Sequence, residues 1–420
     1  MKIVLLNTND NGGGAAIACR RLRDALLKHA NVEARILVQE KNTHDPAITS
    51  LATTRWQRAM VWFRFVLERL YFLPFERSKS IRFLYNPGVV GTDIRTHPLV
   101  QEADIIHLHW INFGFQSTDT LNKLLLLGKP IVWTFHDMWA FTGGCHHSGT
   151  CNNFQEVCGH CKFMKNPSEG DLSHRRWLAK KKVYQTTPFV SVTCSRWLGE
   201  KARKSSLLRN SRVESIPNPL DVQLFHPIDK TQARQQLSLP ENKELILFAA
   251  MRVNAIGKGF RYLVEAIELL LLNNPDRAQT IELVVFGQVD QEVMQSLPIT
   301  THSLGQLSDP QQIACAYSAA TAFVIPSLEE NLPNTIMEAM ACGTPVVGFR
   351  TGGIPEMIDH LQNGYIAEHA SSASLLEGIL WTLDQSLELG LPERARQKVL
   401  TTYSEEIVAR QYTELYQSLL

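Results

Sequence analysis

No stretch of this 420-residue chain approaches eighteen uncharged apolar residues, so it offers no candidate for a membrane-spanning helix. An excess of either charge is also missing, since 42 basic residues face 41 acidic ones. Such a balance gives no field for nucleic acid and no acidic-tail behaviour. The opening MKIVLLNTND holds an apolar run of only four residues, Ile3 to Leu6, too short for the core of a signal peptide. Cysteine is sparse, eight in all. Without an export signal, that argues for a reducing cytoplasm rather than a disulfide framework. There is no internal repeat and no low-complexity segment.

What is present is an ordinary globular composition, 44% hydrophobic and 20% charged, in a chain too long for one core. Short apolar runs alternate with longer helical patterns. Strands are expected at residues 2–7, 34–39, 104–110, 130–137 and 188–195, then at 244–250, 281–287, 322–327 and 345–349. These runs are continuous rather than alternating, which suits parallel strands covered by helices on both faces. Residues 218–243, bracketed and broken by Pro217, Pro219, Pro227 and Pro240, show no period and read as a linker. The organisation expected is α/β: two doubly wound domains, 1–217 and 244–400, with a last helical pattern at 401–420.

In such sheets ligands sit off the carboxyl ends of the strands. Three loops there carry candidate chemistry. Gly12 to Gly14 follow the first strand and open a helix, which allows a close backbone approach and favours an anion. The pattern is not G-x-G-x-x-G and no acid closes the second strand, so a Rossmann dehydrogenase is disfavoured. A plain tight turn explains the glycines equally well. In AAMRVNAIGKGF, Arg252 and Lys258 follow a buried strand; Arg suits bidentate binding of a diphosphate and Lys adds a point charge. A solvated surface pair is the bland reading. In EENLPNTIMEAMACGTPVVGF, Glu330 precedes a helix start and Glu338 lies inside it, with seven residues between. Thr335 and Glu338 fit a capping box. Alternatively, the first helix amides near Asn334 and Thr335 take a phosphate while the two carboxylates receive vicinal hydroxyls. Cations and amides for a diphosphate, with acids for hydroxyls, describe a nucleotide-sugar.

PSLEENLPNTIMEAMACGTPVVGFRTGGIPEMI resembles the signature of retaining glycosyltransferases of family four, a Glu, seven residues, then a Glu. The spacing of Arg252 and Lys258, IPNPLD at 216–221 and GQLSDPQQIACAYSAATAFVIPS at 305–327 are similar to that family too. The resemblance implies the GT-B fold, two Rossmann-like domains facing across a cleft, with the final helix crossing back to the N-terminal domain. It also implies Glu338 on the ribose hydroxyls, Glu330 on the donor sugar, and Arg252, Lys258 and amides near Asn334 and Thr335 on the diphosphate. His136, in WTFHD, matches the family's cleft-facing histidine, and Gly13 and Gly14 its glycine-rich loop. Family members often read Glu-Gly-Phe-Gly where this chain has Glu-Asn-Leu-Pro, which puts contacts at Asn331 and Leu332 in question.

Two further segments stand apart. Within the Cys-rich loop 143–166, Cys145, Cys151, Cys158 and Cys161 follow C-x5-C-x6-C-x2-C, the pattern of a structural zinc site, with a disulfide pair as the alternative. Residues 55–83 interleave Trp56, Trp62, Phe63, Phe65, Tyr71 and Phe72 with Arg55, Arg58, Arg64, Arg69 and Arg77. That pattern suits an interfacial helix on an anionic bilayer, or an amphipathic helix packed on its own domain. The expected function is transfer of a hexose from a nucleoside diphosphate sugar to a growing saccharide, lipid-linked, with no catalytic cofactor. The setting would be cytoplasmic, peripheral on the inner face of the membrane. The alternatives are a nucleotide-sugar epimerase of the same fold and an inactive binding scaffold.

Overall fold

The apolar runs become the interiors of two parallel sheets in a computed structural model that describes residues 1–288, 294 and 297–420. The first sheet takes β1 (Lys2–Asn9), β2 (Glu33–Glu40), β3 (Ile48–Ser50), β4 (Ile105–Leu108), β5 (Ile131–Phe135), β6 (Val190–Thr193) and β7 (Val213–Ser215), in the order β3-β2-β1-β4-β5-β6-β7. The second takes β8 (Glu244–Arg252), β9 (Ile281–Gln288), β10 (Thr301–Ser303), β11 (Ala322–Ile325), β12 (Val346–Phe349) and β13 (Gly364–Ala367), in the order β10-β9-β8-β11-β12-β13. Strand pairs in both are parallel, Leu5 facing His107 across β1 and β4, and Phe323 facing Leu247 across β11 and β8. Each order reverses once, between β1 and β4 and between β8 and β11. At those points the loops leaving neighbouring strands diverge and open a crevice.

The chain divides into two compact units, residues 1–219 with 408–420, and residues 220–407. Each has its own core, around Leu6, Ile106, Leu108 and Trp133 in the first and around Phe248, Leu263, Val285 and Val324 in the second. The stretch expected as a linker, 218–243, carries a helix, Lys230–Gln236, because the Asp229 carboxylate caps it by accepting from Gln232 N–H at 2.9 Å. Arg234 of that helix is buried and donates to the Ala319 carbonyl at 3.0 Å, which fastens it to the second unit.

The final helix, Glu405–Gln417, starts in the second unit and ends in the first. Its tyrosines at 412 and 416, one turn apart, are both buried. Tyr416 O–H meets His107 Nδ1 at 2.7 Å, His107 Nε2 meets Thr134 Oγ1 at 2.8 Å, and Thr134 Oγ1 meets Tyr412 O–H at 2.9 Å. A polar chain of this kind in a low-dielectric interior fixes the helix by position as well as by apolar burial.

Candidate functional site

In the second unit, both strands at the order reversal end in charged loops. Arg252, the last residue of β8, is exposed, and a short turn, Ile256–Lys258, leads to Gly259 at φ +68. A Cβ on Gly259 would lie 1.8 Å from the Pro326 carbonyl oxygen, so only glycine lets this turn lie on the loop after β11. Gly352, at φ +55, closes on the same loop from the other side, where a Cβ would lie 1.6 Å from the Glu330 carbonyl oxygen. Asn331 and Leu332 are both buried.

This packing brings Lys258 Nζ onto Glu330 Oε1 in an ion pair, with Ser327 Oγ also donating to that oxygen at 3.2 Å. Lys258 remains partly exposed while Glu330 is largely covered. The helix Asn334–Ala341 follows at once, with Pro333 as its N-cap and no side-chain cap hydrogen bond. Thr335 is therefore inside the helix, and the capping box does not form. Glu338 lies one turn further on, buried, and accepts from Tyr317 O–H at 3.3 Å. The sequence reading brought Lys258, Glu330 and Glu338 to this region but missed Tyr317, which looks like one more aromatic of a helix core.

The first unit gathers histidines. His136 follows β5; its Nε2 shares a hydrogen bond with His109 Nδ1 at 3.0 Å, and its Nδ1 lies 3.5 Å from Cys194 Sγ. Burial pushes His136 down to about 4 and His107 to about 3, and holds His109 well below the usual histidine range. All three are neutral at pH 7. A small, half-open pocket lies against His109, Trp110, Asn112, His136 and Asp137. Asp137 accepts from Trp110 Nε1–H at 2.9 Å and from the Trp139 N–H at 2.8 Å, and pairs with His146 Nδ1 at 2.7 Å. Burial works against its ionisation, but the His146 contact, the Trp139 N–H and His147 together outweigh it and bring the carboxyl to about 2. His109 and Asp137 were not singled out in the sequence, and His146 only as a possible substitute for a cysteine ligand, beside His147 and His160; the HLHW repeat of histidines at the end of β4 was the available signal for His109.

The glycine-rich loop sits off β1, beside the same reversal point. Gly13 is the N-cap of the helix Gly14–His29, and Gly12 has φ +91. A Cβ at Gly12 or Gly13 would meet nothing within 4 Å. Gly12 is accounted for by its positive φ, whereas at Gly13 no neighbour occupies the place of a side chain.

The four cysteines of the loop after Asp137 are free thiols, with no disulfide. They interact electrostatically with one another. Among the described residues, no three His, Cys, Asp or Glu side chains already stand as a metal ligand set. In the segment 55–83, the helix Arg55–Phe72 buries Val61, Glu68 and Phe72 against the unit. It leaves Trp56 at 74% and Trp62 at 65% exposure, with Phe63 and Leu70 also exposed, and Phe83 beyond the helix is exposed as well. No described helix is long and apolar enough to cross a membrane.

The family model described as Glycosyltransferase Family 4 matches residues 12–224, and the one described as Glycosyl transferases group 1 matches residues 243–385. The chain is similar to the N-acetyl-alpha-D-glucosaminyl L-malate synthase of Bacillus anthracis, 24% identical over 220 residues, 50% of this chain and 55% of that protein. It is similar also to the putative colanic acid biosynthesis glycosyl transferase WcaC of Escherichia coli K12, 22% identical over 350 residues and 77% of each chain. With several curated relatives the match spans only about half their length, as in the 55% and 45% of the first two. Among solved structures, Anabaena HepE in complex with UDP-glucose superposes over the whole of both chains with a TM-score of 0.63 at 16% identity. That likeness shows the fold, GT-B, with its two Rossmann-like domains.

Proposed function

Since this chain belongs to glycosyltransferase family 4, we propose that it is a retaining hexosyltransferase that uses a nucleoside diphosphate sugar. The acceptor is a growing saccharide, lipid-linked, in the synthesis of exopolysaccharide, capsule or O-antigen. The observation that carries this reading is the Lys258–Glu330 ion pair beside the start of the helix Asn334–Ala341. A partly exposed ion pair is worth about 1 kcal/mol or less, whereas a charge-assisted bond from a cation to phosphate is worth about 1.5–3 kcal/mol. An arriving diphosphate therefore draws Lys258 away and releases Glu330 for the hydroxyls of the sugar. Arg252 and the helix amides supply the remaining positive charge for the leaving diphosphate, with no catalytic metal required. Glu338 takes the ribose hydroxyls, Gly13 and Gly14 give the donor sugar room, and His136 serves as the catalytic histidine. The printed ligand of Anabaena HepE, UDP-glucose, supports the donor class.

Incubation with a panel of nucleoside diphosphate sugars tests the proposal, following donor consumption and thermal stabilisation. Neither response to any member of the panel would overturn it. The donor site predicts more. Lys258→Ala should weaken free nucleoside diphosphate by about 1.5–3 kcal/mol in calorimetry, and Glu338→Ala should weaken it through the nucleoside. Glu330→Ala frees Lys258, so it should leave the free diphosphate bound as tightly or more tightly and weaken only the sugar-bearing donor. Unchanged affinity for the free diphosphate in both Lys258→Ala and Glu338→Ala sinks the assignment.

We place the enzyme in the cytoplasm, peripheral on the inner face of the membrane, through residues 55–83. The exposed Trp56, Trp62, Phe63 and Phe83 and the exposed Arg55, Arg58 and Arg77 support this, because aromatic rings suit the headgroup level and arginine suits anionic lipid. The protein should float with vesicles containing anionic lipid at low salt and leave them at high salt. Charge reversal at Arg58 and Arg64 should abolish flotation; absence of flotation in wild type at low salt returns the helix to a purely structural role.

A further inference from the structure

We propose that Cys145, Cys151, Cys158 and Cys161 hold one zinc ion in a closed structural site that braces the turn beside His136. The inference goes beyond the transferase reading and does not depend on it. Its first support is the donor set, four reduced thiols in a single loop, of which Cys145 and Cys161 pack against one small cluster with Phe72, Tyr85 and Met164. Tetrahedral thiolate coordination is what zinc selects, and two of the four stand as C-x2-C.

The backbone around that pair is held in an uncommon form. His160, between Cys158 and Cys161, has φ +47, a left-handed conformation that a non-glycine residue seldom adopts without a reason. Gly159 has no space for a side chain, since a Cβ would lie 2.7 Å from the Glu169 carbonyl oxygen. Gly143 N–H donates to Cys158 Sγ at 3.2 Å, the Asp171 carboxylate accepts from Cys161 N–H at 2.8 Å, and His174 Nδ1 lies 3.0 Å from the Cys158 carbonyl oxygen. The turn is thus fixed on every side, with Cys158 already accepting a hydrogen bond at sulfur.

The second support is an uncompensated charge. Lys180 is 1% exposed. Its Nζ donates to the carbonyls of Trp139 and Thr142, lies 3.7 Å from the Trp139 ring centroid, and among the described residues pairs with no carboxylate. Its electrostatic neighbours include Cys145, Cys158 and the cation Arg176, whose Nε is buried without a hydrogen-bond partner. Asp137, one acid that acts on Lys180, is already held by His146 and Trp110. Burial disfavours the charged forms of Lys180 and Arg176, which a nearby anion would favour. Zinc with four thiolates carries a net charge of about −2, the four thiol protons passing to solvent as the metal binds. That charge answers Lys180 and Arg176 together. Coordination draws the four side chains onto one ion and, through Lys180, holds the carbonyls of Trp139 and Thr142 in the turn that follows His136.

His146 is excluded as a ligand through Nδ1, which Asp137 holds. With all four positions filled by protein, none remains for substrate, so the ion is structural. The test uses the full chain purified without chelators. Metal analysis should find about one zinc per chain. Replacement by Co²⁺ alone should produce the visible bands of tetrahedral cobalt with sulfur-to-cobalt charge transfer. Chelation of the wild type should expose all four thiols to a thiol reagent, release zinc and lower the melting temperature. Cys158→Ser and Cys161→Ser should lose the metal, while Cys315→Ser, at a buried cysteine of the second unit, should keep it. Wild-type protein without zinc and with four reactive thiols overturns the site. So does zinc that survives the double change Cys158→Ser and Cys161→Ser, or a cobalt form without sulfur bands.

Discussion

Replacing His136 by alanine is expected to cut turnover by about 10²–10³-fold, the scale of one lost electrostatic contact to a transition state. Affinity for free nucleoside diphosphate should stay nearly unchanged. The split follows from where the residue lies. It belongs to the first unit, at the end of β5 against the cavity lined by His109, Trp110 and Asp137, whereas Lys258, Glu330 and Glu338 belong to the second. Because burial holds its ring at about 4, His136 is neutral at pH 7 and adds no positive charge against a developing oxocarbenium ion. Both ring nitrogens already have protein partners, His109 and Cys194, so a bond to substrate must replace one of them. His136→Asn keeps a donor and an acceptor and should recover part of the rate; a packing role would show instead as equal thermal losses in both variants. Wild-type turnover in His136→Ala would assign the residue to the core.

The parts of the fold legible in the sequence were those where burial on both faces leaves a continuous apolar run. Interior strands such as β1, β5, β8 and β11 have that character, with six of the eight residues of β1 buried. The strands that escaped the sequence reading, β3, β7, β10 and β13, are the two edges of each sheet. ITS, VES, THS and GYIA are short, and three of them are half-exposed, so no period of two or run of apolar residues can announce them. What defines them is pairing to a neighbour, a non-local fact.

The candidate site divides the same way. Lys258 and Glu330 were legible because strand ends, glycines and charges fall close together in sequence. Their meeting in an ion pair was not, since it depends on Gly259 and Gly352 admitting two loops to one another. Nor was the polar row of the first unit, in which His107 and Thr134 join the final helix, some 280 to 310 residues further on, through Tyr416 and Tyr412. A tyrosine pair one turn apart reads as helix core, and only the tertiary fold sets it against a polar row.

That polar row gives the second large effect: the first unit should lose stability as pH falls from about 6.5 toward 4. Unfolded, each histidine titrates near 6.5. Folded, burial depresses His107 to about 3 and His136 to about 4, and His109 lies well below its usual range. In this window the unfolded chain binds protons that the folded chain refuses, so acid favours unfolding. Each fully depressed histidine contributes a slope of up to about 1.4 kcal/mol per pH unit, and the stability it gives is complete above the unfolded value. Asp137 does not confuse the reading. Its carboxyl titrates at about 2, so it stays ionised throughout, and it works against the depression of His136. Denaturant midpoints measured at pH 7.5, 6, 5.5 and 5 should fall steadily. His107→Asn keeps an amide to bond Tyr416 or Thr134 but cannot take a proton, so it should start less stable and show a shallower slope. The final helix would be the first element to loosen, because a protonated His107 must turn one partner, Tyr416 or Thr134, from donor to acceptor. Tyrosine fluorescence and exchange at residues 408–420 should report that change before the bulk of the unit unfolds; an identical slope in wild type and His107→Asn would show that other groups set the acid limit.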